Sequence, residues 1–348
     1  MSKSHHRSVA WSWMVSVLAV VGLGLGLVAA PANAAPSRPT PPLDPSAMVA
    51  QVGPQVVNIN TKFGYNAAVG AGTGIVIDPN GVVLTNNHVI SGATDISAYS
   101  VGDGRTYGVD VVGYDRNNDV AVLQLRGAGG LPTANIGGPA NVGEPITALG
   151  NTGGQGGTPR AVPGRVVAVG QTVQASDSLT GAEETLNGLI QVDAAIQPGD
   201  SGGPIVNSSG QVIGMNTAAS DNYKLSQGGQ GFAIPIGTAI GIAGQIQSGG
   251  GGPTVHVGPT AFLGLGVVDN GGQGAKVARV VGNAPAAAAG IANGDVITSM
   301  DGVNINSATA MSDVLIAHHP GDTISVSWRS KSGVNRSENI TLADGPPA

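Results

Sequence analysis

The sequence predicts an all-β domain followed by a smaller α+β domain. Three observations carry this. From Gln55 to Ile234 the chain runs in short β-rich segments separated by Gly, Asn and Pro. Ser248 to Gly252 then reads as a flexible Ser-Gly linker. Beyond it, from about Pro259 to Leu342, strand-like and helix-like stretches alternate.

The elements follow from local composition. Asp44-Pro45 resembles a helix start, with Asp as N-cap and Pro at the first helical position. Strands fit Val56 to Asn60, Gly74 to Asp78, Val120 to Leu125, Arg165 to Val169, Gly188 to Val192 and Val212 to Asn216. After Pro235, Ile236, Ile240, Ala243 and Ile246 fall at helical spacing. In the second unit, helices fit Pro285 to Ala289 and Ala308 to His318. Strands there fit Asp295 to Met300, Thr323 to Trp328 and Asn335 to Leu342. Asp301-Gly302-Val303-Asn304 reads as a hairpin turn and not as a calcium loop, because the later acidic ligands are missing.

The start of the chain reads as an export signal. Lys3, His5, His6 and Arg7 precede an apolar run from Met14 to Ala30, and Ala32-Asn33-Ala34 is a small-residue cleavage signal. A retained membrane anchor over Val9 to Ala30 is the rival reading. The predicted layout is a leader at 1–34, a Pro-rich segment at 35–43, a main domain at 44–247, a linker at 248–258 and a second domain at 259–344.

Composition narrows the chemistry. Charged residues make up 10% of the chain and the formal net charge is -6, which argues against a nucleic-acid surface. The chain has no cysteine, so disulfides, thiol catalysis and Cys-type zinc sites are excluded. No metal or cofactor is expected.

The strongest local signal is Gly199-Asp200-Ser201-Gly202-Gly203-Pro204. A serine hydroxyl is a poor nucleophile until a base takes its proton and donors receive the developing oxyanion. Gly199 can turn its N–H beside that of Ser201, so Gly199 and Ser201 are the candidate oxyanion donors. Past the leader the histidines are His88, His256, His318 and His319. His256 falls in the linker, and His318 and His319 precede a Pro-Gly turn. His88, where a strand ends in a polar turn, is the candidate base. Asp119 opens an apolar strand and is the candidate orienting acid; Asp115 competes with it. The order His88, Asp119, Ser201 is that of a chymotrypsin-like double β-barrel.

Thr85-Asn86-Asn87-His88-Val89, Asp119-Val120-Ala121-Val122-Leu123 and Gln191 to Pro204 resemble the HtrA (DegP-type) serine proteases. Gly150-Asn151 and Gly231-Phe232-Ala233-Ile234-Pro235 match further positions of that family. The resemblance implies two six-stranded barrels with the triad between them, and cleavage of unfolded proteins outside the cytoplasm. A peptide sensor or chaperone with weak proteolysis is the alternative. The resemblance also implies an S1 pocket at Ala195, Thr217 and Phe232, small and neutral, suited to aliphatic side chains. Asp200 stands where most members carry Asn, and is expected to be solvated or to meet Arg160.

Phe262-Leu263-Gly264-Leu265-Gly266-Val267 resembles the carboxylate-binding loop and strand of a PDZ domain. It makes Leu263, Gly264, Leu265, Gly266 and Val267 candidate binders of peptide C-termini by strand addition. Ala284 to Ile291 and Gly294 to Ile297 match the same domain. The family resemblance further implies that a polar loop at Gln171 to Leu186, mobile without ligand, senses a PDZ-bound peptide. Family members are often trimers joined by aromatics near the first strand, where Phe63 and Tyr65 stand.

Overall fold

The computed structural model describes residues 44–65, 67–177, 183–217, 223–225 and 231–348. The leader at 1–34 and the Pro-rich segment at 35–43 lie outside them. Among the described residues no helix is long and apolar enough to cross a membrane.

The first sheet is built from β1 (Val56–Phe63), β2 (Ala68–Asp78), β3 (Val82–Thr85), β4 (Asp95–Ser100), β5 (Thr106–Asp115) and β6 (Val120–Leu125). Its order is β5-β4-β1-β2-β3-β6, and β6 pairs back with β5, which closes a six-stranded barrel. The second sheet uses β7 (Pro145–Gly150), β8 (Arg160–Asp177), β9 (Glu183–Val192), β10 (Pro204–Asn207), β11 (Val212–Thr217), β12 (Tyr223–Leu225) and β13 (Gly231–Pro235). The order β8-β7-β10-β11-β13-β9, with β9 returning to β8, closes a second barrel, and β12 adds to β8.

Side-chain alternation explains why the barrels pack together. Successive strand residues face opposite sides. On β6, Ala121, Leu123 and Leu125 fill the first barrel, while Val120 and Val122 point outward into a second core. On β13, Ala233 faces the second barrel interior, while Phe232 and Ile234 face that same outer core. This inter-barrel core also receives Met48 and Val52 from helix α1 (Pro45–Val52). Both barrels therefore have two apolar faces along their shared side, and each fully buried aliphatic there contributes about 1.5–3 kcal/mol.

Three short helices complete this part: α1, α2 (Asn87–Ile90) and α3 (Ile236–Gln247). Helix α1 starts at Asp44-Pro45 as the sequence predicts, though the Asp44 side chain makes no capping bond. Helix α3 buries Ile236, Ala239, Ile242, Ala243 and Ile246, a wider stripe than predicted, because it packs in the inter-barrel core.

The predicted linker differs in one respect. Within 248–258, β14 (Val255–Val257) pairs antiparallel with β5 and extends the first sheet. Val255 and His256 are buried there. Glycine composition signalled a flexible run, but the Val-His-Val that follows has strand character and found an unpaired sheet edge.

The second domain has its own core around Leu263, Ile297, Met300, Val326 and Trp328. Its elements are β15 (Thr260–Phe262), β16 (Leu265–Asp269), β17 (Ala275–Val280), α4 (Pro285–Ala288), β18 (Val296–Met300), β19 (Val303–Asn304), α5 (Ala308–Leu315), β20 (Thr323–Arg329), β21 (Asn335–Thr341) and β22 (Ala343–Gly345). The main sheet runs β16-β17-β18-β20-β21, so β16 is an edge among the described residues. Asp301 and Gly302 both have positive φ, and β19 folds back on β18, which is the predicted hairpin. The last strand, β22, lies past the predicted limit of 344 at its end and pairs with β15.

Candidate active site and peptide groove

Each of the three triad candidates comes from a connection between strands. His88 is on α2, after β3; sequence reading placed it in a turn. Asp119 sits between β5 and β6, and Ser201 between β9 and β10. The first two belong to the first barrel and Ser201 to the second.

The structure brings them together. His88 Nε2 lies 3.0 Å from Ser201 Oγ, and His88 Nδ1 lies 2.8 Å from Asp119 Oδ2 and 3.0 Å from Oδ1. A carboxylate only accepts, so Nδ1 carries the proton and Nε2 is left as the acceptor facing the serine hydroxyl. Asp119 is fully buried and has φ of 52°. That backbone angle is uncommon for a non-glycine residue, and it is fixed by Asn86 Nδ2 donating to the Asp119 carbonyl at 3.0 Å. The carboxylate also accepts from His88 N–H at 3.0 Å and from the Thr217 hydroxyl at 3.1 Å. Asp115 does not compete: its carboxylate is occupied by Asn118, which donates through both its backbone and its side chain.

The serine turn is held from the opposite barrel by Thr73, a residue the sequence reading missed. Its N–H donates to the Ser201 carbonyl at 2.8 Å, and its hydroxyl donates to the Gly199 carbonyl at 2.7 Å. The same hydroxyl accepts from Asn151 N–H at 2.8 Å. The only sequence hint was its place between Gly72 and Gly74. Gly199 has φ of 95°. Gly153 N–H donates to the Pro198 carbonyl at 2.8 Å. In a trans peptide the N–H points opposite the C=O, so the Gly199 N–H is turned away from Gly153. Gly202 has φ of 82°, and a Cβ there would collide with the Thr73 carbonyl and the Thr85 hydroxyl.

Asp200 is neither solvated nor paired simply with Arg160. It is buried, accepts from the Thr152 hydroxyl, and accepts from Gln197 N–H at 2.9 Å. Burial pushes its pKa up, against the lowering effect of these two donors and of the Arg160 charge. Gly150 makes room for it, since a Cβ there would press on Asp200.

The proposed S1 residues separate. Ala195 is exposed. Thr217 is fully buried with its hydroxyl on Asp119, and the Phe232 ring is fully buried in the inter-barrel core. Among the described residues neither of the latter two side chains opens into a pocket; strand alternation turns them inward. The predicted sensing loop at Gln171 to Leu186 is largely an extension of the β8–β9 hairpin, paired from Gln171 to Ser176 with Glu183 to Leu189. Its tip at 178–182 lies outside the described residues.

In the second domain, Gly264 has φ of 84°, and a Cβ there would strike Ala284. The loop is tied down by Val281 N–H to the Gly264 carbonyl and Ala286 N–H to the Leu263 carbonyl, both at 2.9 Å. Leu263 to Val267, with Met311 and Leu315 of α5, line a cavity of about 230 Å³. His88, Asn87 and Tyr114 of the first barrel line the same cavity.

The aromatics near the first strand are engaged within the chain. Phe63 is buried in the first barrel, and Tyr65 stacks on Phe262 with ring centroids 5.4 Å apart.

Residues 72–215 match the family model of the trypsin-like peptidase domain, and residues 261–337 match that of the PDZ domain. The chain is 35% identical to serine protease PepD of Mycobacterium tuberculosis, over 89% of this chain and 69% of that protein. It is 33% identical to the serine protease Do-like HtrA of Lactobacillus helveticus, over 77% of this chain and 67% of that one. A probable periplasmic serine endoprotease, DegP-like, of Halomonas elongata is 32% identical over 79% of this chain and 56% of its own length. This chain therefore belongs to the HtrA-type serine proteases, endopeptidases with a trypsin-like peptidase domain, and carries one PDZ domain after it.

Proposed function

We propose that Ser201, His88 and Asp119 are the nucleophile, base and orienting acid of peptide-bond hydrolysis, acting on unfolded proteins outside the cytoplasm. The observation that carries this is the hydrogen-bonded series from the buried Asp119 carboxylate through His88 to Ser201 Oγ. Ser201 Oγ attacks the scissile carbonyl carbon while His88 Nε2 takes its proton. Asp119 holds the ring and stabilises the imidazolium that forms. The Gly199 and Ser201 N–H groups receive the oxyanion, a contribution worth roughly 10²–10³ in rate per donor. The tetrahedral intermediate collapses as His88 returns the proton to the leaving amine. Water then attacks the acyl-enzyme by the same route, freeing Ser201.

The PDZ groove at Leu263 to Val267 supplies a second contact, taking peptide C-termini as an added strand on the β16 edge. The predicted leader and a relative named as periplasmic support a location outside the cytoplasm. A homo-trimer, which the family resemblance implies, is tested by sedimentation of the purified protein.

The deciding experiment is cleavage of unfolded casein by the protein and by Ser201→Ala. The variant should lose all cleavage and keep its circular dichroism spectrum. Undiminished cleavage by a folded variant would remove Ser201 from the mechanism.

A further inference from the structure

The last residues of the sequence cross from the PDZ domain to the short helix that carries His88. Strand β22 pairs with β15, so the chain leaves the sheet beside Phe262. Gly345 makes that passage feasible, because a Cβ there would fall on the Phe262 side chain. Pro346, Pro347 and Ala348 then lie on the first barrel. Pro347 is buried, and its carbonyl accepts from Gly92 N–H at 2.7 Å. The Ala348 carbonyl accepts from Asn87 Nδ2 at 3.1 Å. Ala348 packs against the first barrel core.

These contacts bracket the base. Asn87 opens helix α2, His88 follows it, and Gly92 lies just past the helix end. A four-residue helix has little internal stability, since nucleating one turn is unfavourable. Its orientation therefore depends on outside contacts: Val89 and Ile90 in the first barrel core, the His88 N–H on Asp119, and the bonds that reach Asn87 and Gly92. Two consecutive prolines suit the grip: their φ is fixed, they have no N–H to satisfy, and their extended form is set before docking.

We propose that Pro346–Ala348 is a strap that positions His88, with Asn87 as the positioning residue that receives it. The proposal rests on the reading of His88 as the base. The strap also lines the cavity that holds Leu263 to Val267, so the PDZ groove and the base share one wall.

The test compares the full chain with a chain ending at Gly345 and with Asn87→Ala, on a short reporter peptide. Each change should lower kcat roughly 5- to 10-fold, as expected for lost hydrogen bonds, with KM within about twofold. N-acetyl-Pro-Pro-Ala added in trans should restore kcat to the shortened chain, which a merely structural defect would not allow. The His88 Nδ1–H proton resonance, read in the same samples, should broaden in both variants. Unchanged kcat with an unchanged resonance would overturn the strap. So would a loss in the shortened chain that neither Asn87→Ala reproduces nor the tripeptide rescues. A full chain without Ser201-dependent cleavage would overturn the proteolytic reading alone, because the resonance still reports on the strap.

Discussion

At the scale of single residues, the acid is held by both barrels. Thr217 comes from the second barrel and donates to a carboxylate of the first. Thr217→Val removes that donor while nearly keeping the shape. The buried Asp119 carboxylate would then lose one of its donors, and kcat should fall roughly 10-fold with KM little changed. Steady-state kinetics on a reporter peptide checks this; an equal kcat would mean that the hydroxyl only fills space. Asp200 gives a prediction about pH. Burial holds its folded-state pKa above the ordinary aspartate value. Below the unfolded value both states are protonated and Asp200 costs nothing by ionisation. As pH rises from the unfolded value towards the folded one, the native state carries an increasing penalty, which is complete above the folded value. An asparagine can accept from Gln197 and donate to Thr152. Asp200→Asn should therefore raise Tm at pH 7 by about 2–4 °C. The gain should fade as the pH drops below about 4. A gain that is constant with pH would exclude relief of the buried charge as its cause.

At the scale of elements, what was legible in the sequence was what local chemistry determines. Short β-rich runs between turn residues marked β6 and β11, and Asp44-Pro45 marked the start of α1. The three residues proposed as the triad stand out in the sequence by their types and order, and the structure sets them within hydrogen-bond distance of one another. Three things were not legible. Thr73 acts across 126 residues of chain, on the Gly199 carbonyl, and no local pattern announces such a strut. His256 looked like part of a linker because the glycines before it dominate the composition. Phe232 looked like a pocket wall because its position matched a family motif, yet strand period fixes its ring in the inter-barrel core. That last difference can be measured. Phe232→Ala should destabilise the protein by about 3–5 kcal/mol in urea unfolding. Ala195→Val, at an exposed position, should leave stability within about 0.5 kcal/mol and reduce cleavage after larger aliphatic residues. If Phe232→Ala instead leaves stability intact and broadens specificity, the ring lines a pocket.

At the scale of the whole molecule, the question is whether the two domains behave as one. The described residues form a single unit. The seam is specific, and His256 is its centre. This ring is 1% exposed on strand β14. Its Nδ1 lies 2.8 Å from the Ile316 carbonyl, just past α5, and its Nε2 lies 3.0 Å from the Pro259 carbonyl. It also packs between Tyr114, at 5.2 Å, and His319, at 5.1 Å between centroids. His319 Nε2 in turn lies 3.1 Å from the Val257 carbonyl, and Arg116 reaches Asp313 at 3.3 Å. Removing the His256 ring should do two things. It would leave a buried space between Tyr114 and His319, and it would strand the Ile316 carbonyl without a donor, a loss of about 1–3 kcal/mol. Most of that loss falls on the contact between domains, since the ring lies between Tyr114 of the first barrel and Ile316 and His319 of the second domain. The full chain should therefore unfold in one calorimetric transition, and His256→Ala should split it, with the PDZ domain melting first. The peptidase activity of the variant below its first transition shows whether docking matters to the base. If the domains hold His88 through their seam, kcat should fall before any unfolding is seen. Two separate transitions in the unaltered protein would show that the seam does not couple the domains.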